Sequence, residues 1–372
     1  MHAFACDFGK SGASVTTAML AIPVVDVRDG GALRYTAQSR ARAHALREAC
    51  LAPFPRALIP FVPALDQAAR RWLTRSCSPY VPEIAQVAAM LGFPGVWLLN
   101  CSYLWSCTST AREEKGAPWI ARTLDWPFPG LGRHADVVRA QGLAGDYFSV
   151  TWPGYAGVLT AMAPFRFAAC INQAPMSRRT QHPWLRLYDI AANGLHTWAN
   201  VRDIPADQLL RQVFESCGTY AAAKDMLEVT PVARPVIYTL IGCALGERCV
   251  IERTENSFET REEDTSAAND WVPNRPMWDA RMSATYFLKL SSEEAAARCR
   301  ARRDALASWH GLFSQSGFVW VEPPVLNPYT QLAVTMSPAR GVLRAAGYEM
   351  TGAGLPSQVT EVCEVVACSG AV

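Results

Sequence analysis

Cys107-Thr-Ser-Thr110 and, after a short polar connection, Trp119-Ile-Ala-Arg122-Thr-Leu-Asp125-Trp-Pro-Phe128 decide how this chain reads. They place a thiol, a fixed cation and a carboxylate on one expected β-hairpin. Thr108–Arg112 and Trp119–Leu124 read as its strands. Lys115-Gly116 reads as the turn, since a two-residue hairpin loop needs positive φ that Gly supplies freely. A thiol is a strong nucleophile only as thiolate, and a neighbouring guanidinium favours that form. Strict strand alternation puts Arg122 and Asp125 on opposite faces. Both reach one site only if the strand ends or bends near Asp125, and Trp126-Pro127 supplies that break.

The composition around this segment narrows the rest. The chain has 372 residues, half of them hydrophobic and 18% charged, which excludes disorder and allows a large core in one large domain or two small ones. The formal net charge of +2 offers no basic stripe for a nucleic acid. The locally basic Gln38–Arg47 suits the solvated face of a helix. Twelve cysteines lack the spacing of a disulfide framework, and Cys243 and Cys249 lie too far apart for a zinc knuckle. Eleven of them, such as Cys50, Cys170 and Cys368, read as small core hydrophobes, and no metal site or cofactor is expected. Unpaired thiols, with no signal-peptide layout in Met1–Lys10, lead to the expectation of a cytoplasmic protein. No transmembrane segment is expected, because Gly92, Pro94 and Gly95 interrupt the apolar stretch Val87–Leu99. Gly9-Lys-Ser11 lacks the earlier Gly of a phosphate loop. No Gly-x-Ser-x-Gly elbow is present, which argues against a serine hydrolase.

Along the chain, Thr16–Val27 reads as a first strand, followed by helices over Ala37–Leu51, Pro63–Ser76 and Pro82–Leu91. Gly92-Phe-Pro-Gly95 ends the last of these, and the apolar run Val96–Tyr103 reads as a buried strand. Short strands are expected at Tyr147–Thr151, Ala156–Met162 and Phe167–Asn172. Helices follow at Ala206–Cys217 and Tyr220–Val229, then strands at Val236–Cys243, Glu247–Arg253 and Ser257–Arg261. A polar helix, Ser292–Phe313, opens on a Ser cap with Glu293 and Glu294 in its first turn. Thr330–Met336 and Gly341–Ala346 read as a closing hairpin. Periodicity alone gives an α+β fold.

Four segments carry a resemblance. The hairpin with its upstream Glu83–Gly92 and Leu98–Tyr103, then Trp152-Pro-Gly-Tyr155-Ala-Gly-Val-Leu-Thr160, Ala168-Ala-Cys-Ile-Asn172, and Asn269-Asp-Trp271 with Asp279-Ala-Arg281, occur in one order. Together they resemble the cysteine branch of the N-terminal-nucleophile amidohydrolases. That branch holds acid ceramidase, N-acylethanolamine-hydrolysing acid amidase and, more distantly, penicillin V acylase and bile salt hydrolase. The resemblance implies a four-layer αββα sandwich of two mostly antiparallel sheets flanked by helices. It also implies self-cleavage between Ser106 and Cys107. Residues 1–106 would then form an N-terminal pro-segment or α-subunit, and 107–372 the catalytic β-subunit of one compact fold.

The resemblance implies roles as well. Cys107 is nucleophile through its thiol and base through its freed α-amine. Arg122 flanks the thiol and Asp125 binds the amine. Asn172 and Asn269 donate to the oxyanion or hold the amide, and Arg281 lies near the carboxylate and thiol. Trp105, Trp126, Trp152 and Tyr155 are core aromatics or the lining of an acyl-chain groove. The chain departs from the family's pattern. Cys107 to Arg122 is one residue short, Asn269 to Arg281 also runs slightly short, Ala268 stands where the family has Thr, the Tyr that follows the family's Asn is missing, and Leu104-Trp105 stands where the family often has Glu. The expected function is a self-processing cysteine amidase acting on a small-molecule or lipid-like N-acyl amide through a thioester. The alternatives are an acyltransferase using the same acyl-enzyme and an uncut, inactive scaffold on the same fold. Substrate identity and oligomeric state stay open.

Overall fold

Lys115 and Gly116 have φ of 49° and 75°, the paired positive values of a tight hairpin loop. They join β2 (Ser106–Glu114) to β3 (Ala117–Asp125) in unbroken antiparallel register. In the computed structural model, which describes residues 19–101, 106–281, 291–352 and 354–368, this hairpin is central to one of two main sheets. β14 (Thr330–Ser337) pairs with β3, and β15 (Val342–Glu349) pairs with β14.

The other sheet runs β1 (Val24–Asp26), β4 (Asp136–Gly142), β5 (Gly145–Thr151), β6 (Thr160–Ala163), β7 (Phe167–Gln173), β9 (Val236–Ile241), β10 (Arg248–Arg253), β11 (Phe258–Arg261). All its neighbours are antiparallel except β1 and β4, which run parallel. Apolar residues of both sheets meet in one core, including Cys107, Leu124 and Val334 from the first and Cys170, Tyr238 and Leu240 from the second. Helices α6 (Ala206–Ser216) and α7 (Tyr220–Val229) cover the outside of the larger sheet, and α8 (Ser292–Ala307) lies on β2. The result is the α+β architecture of two packed sheets flanked by helices.

The N-terminal helices α1 (Gly31–Leu51), α2 (Val62–Leu73) and α3 (Val81–Leu91) match their expected places. Gly92 stops α3 with a left-handed φ of 71°. The run from Val96 departs from expectation. It is not a strand but the short helix α4 (Val96–Leu99). Its amide at Leu98 donates to the buried Asp66 carboxylate, and Asn100 Nδ2 closes onto the carbonyls of Val96 and Gly154. These partners supply what a sheet edge would have supplied. Residues 102–105, including Tyr103 and Trp105, lie outside the described residues, as do Thr16, Thr17 and Ala18 of the expected first strand.

Two further elements had no clear signal. β4 lacks strong alternation, and α5 (Arg186–Asn200) carries Asn193 and Gly194 in its interior, both poor helix formers. The expected helix Ser292–Phe313 ends at Ala307, and its cap is Ser291, which forms a reciprocal capping box with Glu294. No described helix is long and apolar enough to cross a membrane.

Candidate active site

The hairpin register sets the first contacts. Cys107 pairs with Leu124 and Ser109 with Arg122, so Cys107 and Arg122 share the face that looks into the core between the sheets. Arg122 Nη2 lies 3.3 Å from Cys107 Sγ and donates at 2.8 Å to the Ile171 carbonyl of β7. Both side chains are fully buried, and Arg122 Nε and Nη1 have no hydrogen-bond partner. Burial pushes the Cys107 thiol up to about 12, while Arg122 pulls it down and Asp125 pushes it further up. In the continuous chain the thiol is therefore mostly protonated at neutral pH.

Asp125 ends β3, as the sequence required, and faces away from Arg122 toward α8. Its carboxylate accepts from Arg302 Nη1 at 2.9 Å, Asn327 Nδ2 at 2.7 Å and Thr330 Oγ1 at 3.0 Å. Burial still raises its pKa above the usual value against these partners. Against β14 the register slips beside Asp125, from Thr330 opposite Asp125 to Leu332 opposite Leu124. That irregularity brings Thr330 under the carboxylate.

Asn269 reaches the same bond from the loop after β12 (Ser266–Ala267). Its Oδ1 accepts from the backbone amide of Cys107 at 2.8 Å and from Ser106 Oγ at 2.8 Å, and its Nδ2 donates to the Gln173 carbonyl. Asn172 has a different place. Its Nδ2 donates to the carbonyls of Ala267 and Ala268, tying β7 to the segment that leads into Asn269. As placed, Asn172 supports the loop and gives no donor to Cys107.

Arg302 is the site residue that the sequence reading missed. Its Nη1 donates to the Cys107 carbonyl and Thr108 Oγ1 as well as Asp125, and its Nη2 to Ser106 Oγ and Asn269 Oδ1. Arg302 thus places a cation on the carboxylate and on the Ser106–Cys107 segment, and the backbone amide of Arg281 donates to the Asn269 carbonyl at 2.8 Å. A signal for Arg302 existed: the buried residues of α8 are Ala295, Cys299, Arg302 and Leu306, a stripe at helical spacing into which Arg302 falls.

A cavity of about 260 Å³ opens over Ser106 and Asp125, walled by Arg298, Arg302, Leu326, Asn327 and Tyr329 among others. Trp126, Trp152 and Tyr155 do not line it. All three are core residues: Trp152 Nε1 donates to the Leu131 carbonyl, and Tyr155 OH to the buried Asp207 carboxylate. The polar tips of Trp152 and Tyr155 are satisfied inside the protein, and none of the three aromatics walls this cavity. The described residues contain no cluster suited to a metal ion, and the eleven described cysteines are free thiols.

No protein-family model matches the chain. Over 182 residues it is 26% identical to an N-acylethanolamine-hydrolyzing acid amidase of Cavia porcellus, covering 47% of this chain and 48% of that protein. The chain thus spans about half the length of this relative. Among solved structures, the Caenorhabditis elegans N-acylethanolamine-hydrolyzing acid amidase ortholog aligns with 63% of this chain and 93% of its own, at 18% identity and a TM-score of 0.44. A conjugated bile acid hydrolase from Clostridium perfringens aligns with 70% of this chain and 97% of its own, at 12% identity and a TM-score of 0.39. By its sequence, this chain is a distant homologue of the N-acylethanolamine-hydrolyzing acid amidase.

Proposed function

We propose that the chain is a self-processing cysteine amidase that hydrolyses an N-acyl amide. One observation carries this reading: the two ends of the Cys107 residue are held separately. Its thiol lies against Arg122, and its backbone nitrogen lies on Asn269 Oδ1. In the uncut chain that nitrogen is an amide and cannot act as a base. Attack of Sγ on the Ser106 carbonyl forms a thioester and breaks the peptide bond. Water then releases the Ser106 carboxylate and leaves Cys107 with a free α-amine.

An α-amine of ordinary pKa ~8 accepts the proton of an ordinary thiol of pKa ~8.5 at little cost; burial of Cys107 raises that cost, and Arg122 offsets part of it. Asn269 Oδ1 already sits where one of its N–H groups would point. In turnover the thiolate attacks the substrate carbonyl, and the ammonium returns its proton to the departing amine. A second addition, by water, frees the acid. The unpartnered Nε and Nη1 of Arg122 offer donors to negative charge developing beside Sγ. The amidase relative supports small or lipid-like N-acyl amides as the substrate class.

Mass spectrometry of the purified protein tests the first half. A fragment beginning at Cys107 is expected, and Cys107→Ala should remain one intact, inactive chain. Cys107→Ser should cut slowly, because a hydroxyl is the poorer nucleophile at neutral pH. Assays over N-acylethanolamines, ceramides, acyl amino acids, penicillin V and conjugated bile salts test the second. A wild-type chain that hydrolyses amides while staying uncut would sink the proposed mechanism.

A further inference from the structure

Asp125 presents a physical problem. It is fully buried, and a carboxylate in that setting is driven toward its neutral form. One cation, Arg302, meets only its Oδ2. The other contacts come from the Asn327-Pro-Tyr-Thr330 loop that precedes β14. Asn327 Nδ2 donates to Oδ2 at 2.7 Å, and Thr330 Oγ1 donates to Oδ1 at 3.0 Å.

The loop is locked in the geometry this requires. Asn327 N donates to Thr330 Oγ1 at 3.0 Å, so the hydroxyl's own proton is directed to Asp125. Thr330 N donates back to the Asn327 carbonyl at 3.0 Å, and Tyr329 N donates to Asn327 Oδ1 at 3.1 Å. The amide of Asn327 is thereby fixed with its NH₂ toward the carboxylate and the Val325 carbonyl. Trp126, the residue after Asp125, donates its backbone N–H to the Tyr329 carbonyl at 2.7 Å, which pins the two segments together.

We propose that Asn327 and Thr330 are positioning residues that hold Asp125 as an oriented carboxylate beside the Ser106–Cys107 bond. Neither touches the reacting atoms; both act through Asp125. The use of that carboxylate, as the counter-charge to a freed Cys107 ammonium, rests on the amidase reading above. The clamp itself does not. The charged and titratable groups around Asp125 are Arg302 and Arg298 on α8, Arg122 on β3, Cys107 on β2 and Tyr329 in the loop. Asn327 and Thr330 act on it without adding charge. Asn327 and Tyr329 also wall the cavity over Asp125, so the clamp lies within reach of whatever occupies that cavity.

The test is a Thr330→Val substitution, which keeps the shape and removes the donor, with Thr330→Ser as the rescue and Asn327→Ser as a second probe. Aspartate labelled with ¹³C at Cγ, with Asp125→Asn for assignment, reads the Asp125 carboxyl directly by NMR titration. Its proton affinity should rise about tenfold in Thr330→Val, the equivalent of one lost hydrogen bond. It should return to the wild-type value in Thr330→Ser and rise again in Asn327→Ser. The rate of fragment release and kcat should fall about tenfold in Thr330→Val with KM unchanged, and the acid limb of the pH profile should move to higher pH. A folded Thr330→Val protein whose Asp125 titrates as in wild type would overturn the proposal. If Thr330→Val does not fold, Asn327→Ser decides the matter by the same titration. A wild-type protein that neither cuts itself nor hydrolyses amides would remove the amidase reading, and the carboxyl titration would still decide the clamp.

Discussion

Arg302 of α8 and Asp125 at the end of β3 form an ion pair of 2.9 Å in which both side chains are less than 5% exposed. The pair closes the outer face of the hairpin as Arg122 closes the inner one. The Ser106–Cys107 bond therefore runs between two guanidinium groups, one on the thiol and one on the carbonyl of Cys107.

Removing the outer cation should be costly. Arg302→Met leaves the Asp125 carboxylate buried and short of its charge partner, a change that typically costs about 3–5 kcal/mol. Urea denaturation should register it, together with loss of self-cleavage. Arg302→Lys keeps the charge without the fork that serves Cys107, Ser106 and Asn269 at once, so it should recover part of the stability and little of the cleavage. Stability of Arg302→Met within about 1 kcal/mol of wild type would contradict the assigned network.

The inner cation should be visible in thiol chemistry. Arg122 lowers the Cys107 pKa against burial. In Arg122→Ala, the rate of Cys107 alkylation by iodoacetamide should need higher pH than in wild type. An unchanged alkylation profile would leave Arg122 with a structural role only.

The two asparagines should separate. Asn269→Ala removes the acceptor of the Cys107 amide, so self-cleavage and kcat should both fall with little change in KM. Asn172→Ala removes the donor that ties β7 to the Ala267 and Ala268 carbonyls, so it should destabilise the fold by about 1–3 kcal/mol and lower kcat far less. Paired denaturation and steady-state measurements distinguish the two. Equal catalytic losses without destabilisation would assign Asn172 to the reaction itself.

Glu252 should give the fold a pH signature. It lies on β10, with its side chain fully enclosed near Arg261 and Arg275, and burial raises its pKa from 4.5 to about 7. The folded state thus holds this proton more tightly than the unfolded chain. Its contribution is fully present below pH 4.5 and is lost as the pH climbs toward 7. The loss amounts to roughly 3 kcal/mol over that window. Denaturation midpoints across it should fall more steeply in wild type than in Glu252→Gln. Parallel slopes in the two proteins would show that Glu252 does not titrate differently on folding.

The sequence by itself determined the hairpin and what the hairpin carries. Lys115-Gly116 fixes the loop, the loop fixes the register, and the register puts Cys107 and Arg122 on one face. These residues are 15 apart in sequence, close enough for local pairing to set their geometry. Gly92 ended α3 for the same local reason, a left-handed position that Gly fills without steric cost. The break at Asp125 was also legible, from the Trp126-Pro127 that follows it.

Only the tertiary structure decided the outer half of the site. Arg302 meets Asp125 across 177 residues, and Thr330 meets it across 205. Nothing local says which helix face will cover β2, or that the strand register will slip at Thr330. Asn269 Oδ1 and the amide of Cys107 likewise meet across 162 residues. Trp152 and Tyr155 turned into the core because the Leu131 carbonyl and Asp207 were there to accept their polar tips. Val96–Leu99 became a helix because Asp66 and Asn100 satisfied its ends. Local pattern sets the pairing of neighbours in the chain, whereas a buried polar group goes wherever packing brings its partner.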